Sequence, residues 1–102
     1  MIHVIAVITA KPGQREALLT QFRANIPTVR AESGCIEYGV ACDAQPALKF
    51  QTVYGPDTVV VVEKWESLEA LKAHGAAPHM VDYAAKIKEF IASRVIHILQ
   101  PA

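Results

Sequence analysis

Residues 59–80 read VVVVEKWESLEALKAHGAAPHM, and the change of period inside this stretch decides the fold. Val59 to Val62 are β-branched and continue a strand that runs from Thr58 to Trp65. Ser67 then supplies an N-cap, and Glu69 sits favourably in the first turn of a short helix that stops at Gly75. Pro78 fits the first position of a second helix. In that helix Met80, Tyr83, Ala84, Ile87 and Ile91 fall on the buried side, and Asp82, Lys86 and Glu89 on the wet side.

Toward the N-terminus, Ile2 to Thr9 has strand length and character, and Pro12-Gly13 breaks it and opens a helix. Leu18, Phe22, Ile26 and Val29 make one apolar stripe of that helix, which is expected to run to about Glu32, with Pro27 removing one backbone donor inside it. Gly34 suits the left-handed residue that closes it. A strand from Cys35 to about Asp43 follows, then a turn at Ala44 to Pro46 and a short strand at Phe50 to Tyr54. Arg94 to Leu99 makes the last strand. The order β-α-β-(β)-β-α-α-β predicts a single α+β domain over 1–102, a ferredoxin-like sandwich with an antiparallel sheet.

The strands are apolar on both faces. The first has Ile2, Val4, Ala6 and Ile8 on one side and His3, Ile5, Val7 and Thr9 on the other; the valine run alternates Val59 and Val61 against Val60 and Val62. Helices cover only one face of such a sheet, and a bare face ordinarily turns polar. A second copy of the sheet is the simplest cover, so the pattern predicts a homodimer joined face to face.

Composition narrows the partners. The 102 residues are 52% hydrophobic, and ten basic residues balance ten acidic ones. No basic block marks a nucleic-acid or anionic-membrane surface, which leaves small molecules or another chain. The apolar start MIHVIAVITA lacks a basic segment before it and ends at Lys11-Pro12-Gly13, so it reads as a strand rather than a signal peptide. Cys35 and Cys42, seven apart on an extended strand, lie roughly 23 Å from each other, too far for a disulfide. Free thiols point to a microbial cytoplasm.

His74 shares the inward side of its helix with Leu71 and Ala70. His79 falls near the start of the next helix, where the macrodipole disfavours imidazolium, so a neutral ring there is a candidate proton acceptor. Glu63, on the same strand face as Trp65, is the carboxylate placed to orient a histidine or act as a base. Each also has a structural reading: a capped or satisfied core histidine, a core tryptophan, a glutamate paired with a cation. The five-residue histidine spacing, broken by Gly75 and Pro78, does not match the helical i, i+4 metal pair, so no metal is expected.

The string EKWESLEALKAHGAAPHM resembles the E-x-W-x-S-x-E-A-x-x-x-H-x-x-x-P-H segment of the antibiotic biosynthesis monooxygenase family. Ala31, Gly34 and Cys35 match its A-x-x-G-C element, and Lys11-Pro12-Gly13 its K-P-G. The resemblance implies a dimeric α+β barrel with a pocket between sheet and helices, used for oxygenation of a quinol or hydroxylated aromatic with no cofactor. In such a pocket His79, His74 and Glu63, read above from their positions, are the candidate catalytic residues, while Trp65 is placed to stack on the substrate ring and Tyr54 or Tyr83 to hydrogen-bond one of its oxygens. Heme-degrading relatives carry an axial histidine near the position of Ala84, and none stands there. Two other functions share the fold: isomerisation of a phosphorylated small sugar or dihydroxyketone, and non-catalytic binding of a small ligand by a stress-associated dimer. Oxygen consumption separates the first function from both.

Overall fold

In the computed structural model, which describes residues 1–102, the β-branched runs form β1 (Ile2–Ala10), β2 (Cys35–Ala41), β3 (Thr58–Trp65) and β4 (Ile91–Leu99). The 3.6-period segments form α1 (Arg15–Arg30), α2 (Leu68–Ala76) and α3 (Pro78–Ile87). The strands make one antiparallel sheet in the order β2-β3-β1-β4. This is the expected ferredoxin-like α+β sandwich.

Alternation sets the two faces. Ile2, Val4, Ala6, Ile8 and Ala10 are buried under the helices, as are Val59, Val61 and Trp65 on the paired strand. Leu18, Leu19, Phe22 and Val29 of α1 and Tyr83 and Ile87 of α3 close the core from the other side. Burying a large apolar side chain stabilises by about 1.5–3 kcal/mol, so these rows fix which face each strand shows the helices. On the opposite face, Val60, Val7 and Val95 form one rung and Val62, Ile5 and His97 the next. None of these six is buried within a single chain.

The turns follow local chemistry. The Ser67 hydroxyl accepts a hydrogen bond from the Ala70 N–H at 3.1 Å and starts α2. Ala77, held extended before Pro78, separates α2 from α3 and sends the chain off in a new direction. Gly34 has φ of +84°, and a Cβ there would come within 2.5 Å of the Ala70 Cβ. Its lack of a side chain lets the α1–β2 turn press against α2, and the Glu66 N–H donates to the Gly34 carbonyl at 2.9 Å.

Two expectations are corrected. Phe50 to Tyr54 is not a strand. Side chains bind the backbone there instead: the Asp43 carboxylate accepts from the Tyr54 and Gly55 N–H groups, and Gln51 bonds the Leu48 N–H and the Ala44 carbonyl. The loop is closed by side chains, and Phe50 is left 88% exposed. Ile91 does not extend the helical stripe. A 3₁₀ turn over Lys88–Phe90 ends the helix, the Lys11 N–H donates to the Phe90 carbonyl, and Ile91 pairs with Ala10 as the first residue of β4.

Helices α1 and α2 contact β1, β2 and β3. The edge strand β4 stays open, with Ile96 and Ile98 about half exposed. Between the helices and the β4 side of the sheet lies a cavity.

Candidate active site

The cavity has a volume of about 360 Å³, and 13 of its 17 lining residues are hydrophobic. Its lining is therefore apolar, with polar groups that can be named singly, as in most small-molecule sites. Glu63, His74 and Arg94 are the charged or titratable residues beside the phenols of Tyr38 and Tyr83.

Glu63 comes from β3, on the helix-facing side, opposite Val4 on β1 and Tyr38 on β2. It is only 7% exposed. The Trp65 Nε1–H donates to its Oε1 at 2.8 Å. Burial raises the Glu63 carboxyl above its ordinary value, against the opposing pull of the Trp65 hydrogen bond and the nearby His74. A raised carboxyl facing an apolar cavity is a group suited to proton transfer.

His74 comes from the last turn of α2 and is 6% exposed. Its Nδ1 lies 2.7 Å from Glu32 Oε2. A carboxylate can only accept, so Nδ1 carries the proton, and in the neutral ring Nε2 presents a lone pair. The imidazole rests on the Trp65 indole, with ring centroids 4.6 Å apart, and meets the edge of Tyr38 at 5.7 Å. Tyr38 stacks on Phe22 at 5.1 Å, and Phe22 meets Tyr83 edge-on at 6.4 Å. Burial pushes the Tyr83 hydroxyl up to about 12 and the Tyr38 hydroxyl up as well. Both phenols therefore act as neutral hydrogen-bonding groups.

The six residues picked out from sequence separate in space. His74, Glu63 and Tyr83 line the cavity. Trp65 is fully buried behind it, where it supports His74 and bonds Glu63 rather than forming the wall. His79 lies outside it, on a groove between α1 and α3 with Asn25 and Asp82. Its Nε2 is 3.5 Å from Glu32 Oε2, and neither ring nitrogen has a hydrogen-bond partner. Glu32 thus stands between the two histidines and binds only His74. Tyr54 is 58% exposed on the Asp43 loop, away from the cavity.

Glu32, Tyr38 and Arg94 escaped the sequence reading. Glu32 occupies an unspecified position of the A-x-x-G-C element, and only the close packing of Gly34 on Ala70 brings it to His74. Tyr38 carried a signal, an aromatic residue on the strand face that also bears Val40, while the register shift between Cys35 and Glu37 that brings Cys35 to the same face has no mark in the sequence.

Substituting Glu63 by glutamine keeps an acceptor for the Trp65 N–H and removes the buried charge. Because the folded protein holds the Glu63 proton more tightly than the unfolded chain does, stability falls as pH rises from 4.5 through the folded value, and stays lower above it. Glu63→Gln is therefore expected to raise Tm above that of the wild type at pH 8. The gap should close below pH 4.5. Thermal melts at pH 4 to 8 check this, and a gap independent of pH contradicts it.

An antiparallel ferredoxin-like sheet, half covered by helices and enclosing an apolar cavity with an imidazole–carboxylate pair, defines a small-molecule site on an α+β scaffold. The chain belongs to the antibiotic biosynthesis monooxygenase family, whose model matches residues 1–86. It is 42% identical over 103 residues to the Escherichia coli (strain K12) protein "Probable quinol monooxygenase YgiN", covering 99% of this chain and 98% of that one. Among solved structures it resembles Rv0793 from Mycobacterium tuberculosis, with TM-score 0.81 and 28% identity over 99% of this chain and 94% of the other. PA3566 from Pseudomonas aeruginosa is similar with TM-score 0.80 and 26% identity, over 99% and 93% of the two chains.

Proposed function

We propose that this member of the family is a cofactor-independent monooxygenase acting on a quinol or another hydroxylated aromatic. The observation that carries this reading is the 2.7 Å Glu32–His74 pair on the wall of an apolar cavity, with Glu63 as its buried carboxyl. The apolar lining favours an aromatic ring over a phosphorylated sugar, and the name of the Escherichia coli relative points the same way.

The chemistry asks little of the protein. His74 Nε2 takes the hydroxyl proton of the bound ring, and Glu32 stabilises the imidazolium that forms. The resulting phenolate supplies electrons to O₂, a ring C–O bond forms, and a ring-bound hydroperoxide results. Loss of the hydrogen on that carbon breaks the O–O bond: one oxygen stays as a ring carbonyl or its hydroxyl tautomer, and the other leaves as water with a proton returned by His74 or Glu63. For a quinol the balance is quinol plus O₂ to hydroxyquinone plus water. Tyr38 and Tyr83 hold ring oxygens in place, and the apolar wall keeps bulk water from the peroxide. Oxygen uptake by protein free of flavin and metal, above the buffer autoxidation rate, tests the reading; uptake at the buffer rate with every hydroxylated arene tried refutes it.

Two further statements belong to it. The outer rungs Val60–Val7–Val95 and Val62–Ile5–His97, apolar except at His97, support a face-to-face homodimer. Light scattering at micromolar concentration should give twice the 11.1 kDa chain mass; a soluble monomer would contradict it. No helix is long and apolar enough to cross a membrane, and both cysteines are free thiols, which suits the cytoplasm.

A further inference from the structure

We infer that Arg94 is an anion-recognising residue at the cavity mouth, and that the substrate is a hydroxylated aromatic acid with its anionic group far from the reacting hydroxyl. The inference rests on the cavity being the substrate site, as proposed above.

Register places Arg94 opposite Ile8, so it shares the cavity side with Ile96 and Ile98, which pair with Ala6 and Val4. It is the cation of the lining, and Glu63 is the carboxylate. The ion pairs of the chain are Lys64–Glu37 and the contacts of His74 and His79 with Glu32. Arg94 takes part in none of them, and no side-chain hydrogen bond occupies its guanidinium. An exposed arginine on an edge strand usually serves solubility, but this one stands among Ile96 and Ile98 at the open side of an apolar cavity, with five donors uncommitted.

Position gives the ligand its shape. Glu63 pairs with Val4, and Arg94 with Ile8, on strands that flank β1. Four residues along and two strands across put their backbones roughly 16 Å apart. Both side chains reach inward from that distance, which leaves room for about two fused rings. The hydroxyl lies toward Glu63 and His74 and the anion toward Arg94. A lone guanidinium matches a carboxylate through two parallel N–H···O bonds, whereas a phosphate dianion would call for more donors than this apolar rim provides.

Calorimetric binding to the intact protein tests this, with 6-hydroxy-2-naphthoate, which carries hydroxyl and carboxylate at opposite ends, against 2-naphthol. The acid should bind at least about 10-fold tighter, the scale of hydrogen bonds to a charged group. Arg94→Gln should remove that preference while leaving 2-naphthol affinity within about 2-fold, and Arg94→Lys should keep part of it. Equal affinity of the two compounds for the wild type overturns the inference but leaves the pocket reading intact. Failure of both to bind removes the two together. An Arg94→Gln protein that loses its oligomeric state assigns the residue to a subunit contact, which also overturns the inference.

Discussion

On the proposed function, His74→Gln is expected to lower kcat for oxygen-dependent turnover of a hydroxylated aromatic by roughly 10²- to 10⁴-fold, the scale of a lost general base. The amide can still donate to Glu32 and fill most of the space beside Trp65, but it takes no proton at the position of Nε2. KM should change little, because the wall of the cavity is otherwise kept. Glu32→Gln moves kcat in the same direction, since an amide no longer dictates which imidazole nitrogen holds the proton. His79→Ala should change kcat only several-fold: the ring lies on a separate groove and reaches Glu32 at 3.5 Å without a hydrogen bond. Steady-state oxygen uptake on folded variants measures all three. A His74→Gln enzyme with wild-type kcat would take the proton-accepting role away from this residue, and a larger loss in His79→Ala than in His74→Gln would reverse the assignment.

Trp65→Ala is expected to cost about 3–5 kcal/mol of stability, the range for truncating a buried aromatic residue. Trp65 is fully buried, and its removal opens a void beneath His74 and strips Glu63 of its hydrogen bond. Domains of this size are stable by only about 5–15 kcal/mol, so the variant should unfold at much lower urea concentration. Trp65→Phe keeps most of the contact but loses the Nε1–H donor, and should fall between the two. Far-UV dichroism in a urea titration gives these values, and a Trp65→Ala midpoint equal to wild type would show that the indole is not part of the core.

The fold was legible because its signals are periodic. The valine run ending at Trp65, the Ser67 cap and Pro78 at a helix start all stand where the sequence puts them. The segment at Phe50 to Tyr54 misled because its β-branched and aromatic residues look like a strand, while the deciding contacts tie it to Asp43 and Ala44, several residues away.

The site was legible in part for a related reason. His74 and Glu63 lie on faces that a helical or strand period predicts, and both line the cavity. His79 carries the same motif-level signal, but the break at Ala77 turns its helix so that the ring falls on the far side of Glu32. Glu32 was invisible because its approach to His74 depends on the absent side chain of Gly34, a contact between residues 42 positions apart in the chain for the Glu32–His74 bond itself. Arg94 was placed correctly on a strand, but whether it meets cavity or solvent depends on strand register.

The central claim is that this cavity inserts one atom of molecular oxygen into a hydroxylated ring using its own side chains. The most direct measurement is turnover of 1,4-dihydroxynaphthalene under ¹⁸O₂ by flavin-free, chelator-treated protein, with mass spectrometry of the naphthoquinone products. The wild type should form a hydroxynaphthoquinone carrying one ¹⁸O atom, and His74→Gln should reduce it to the buffer background. Unlabelled naphthoquinone alone, formed at the same rate with and without protein, would contradict it.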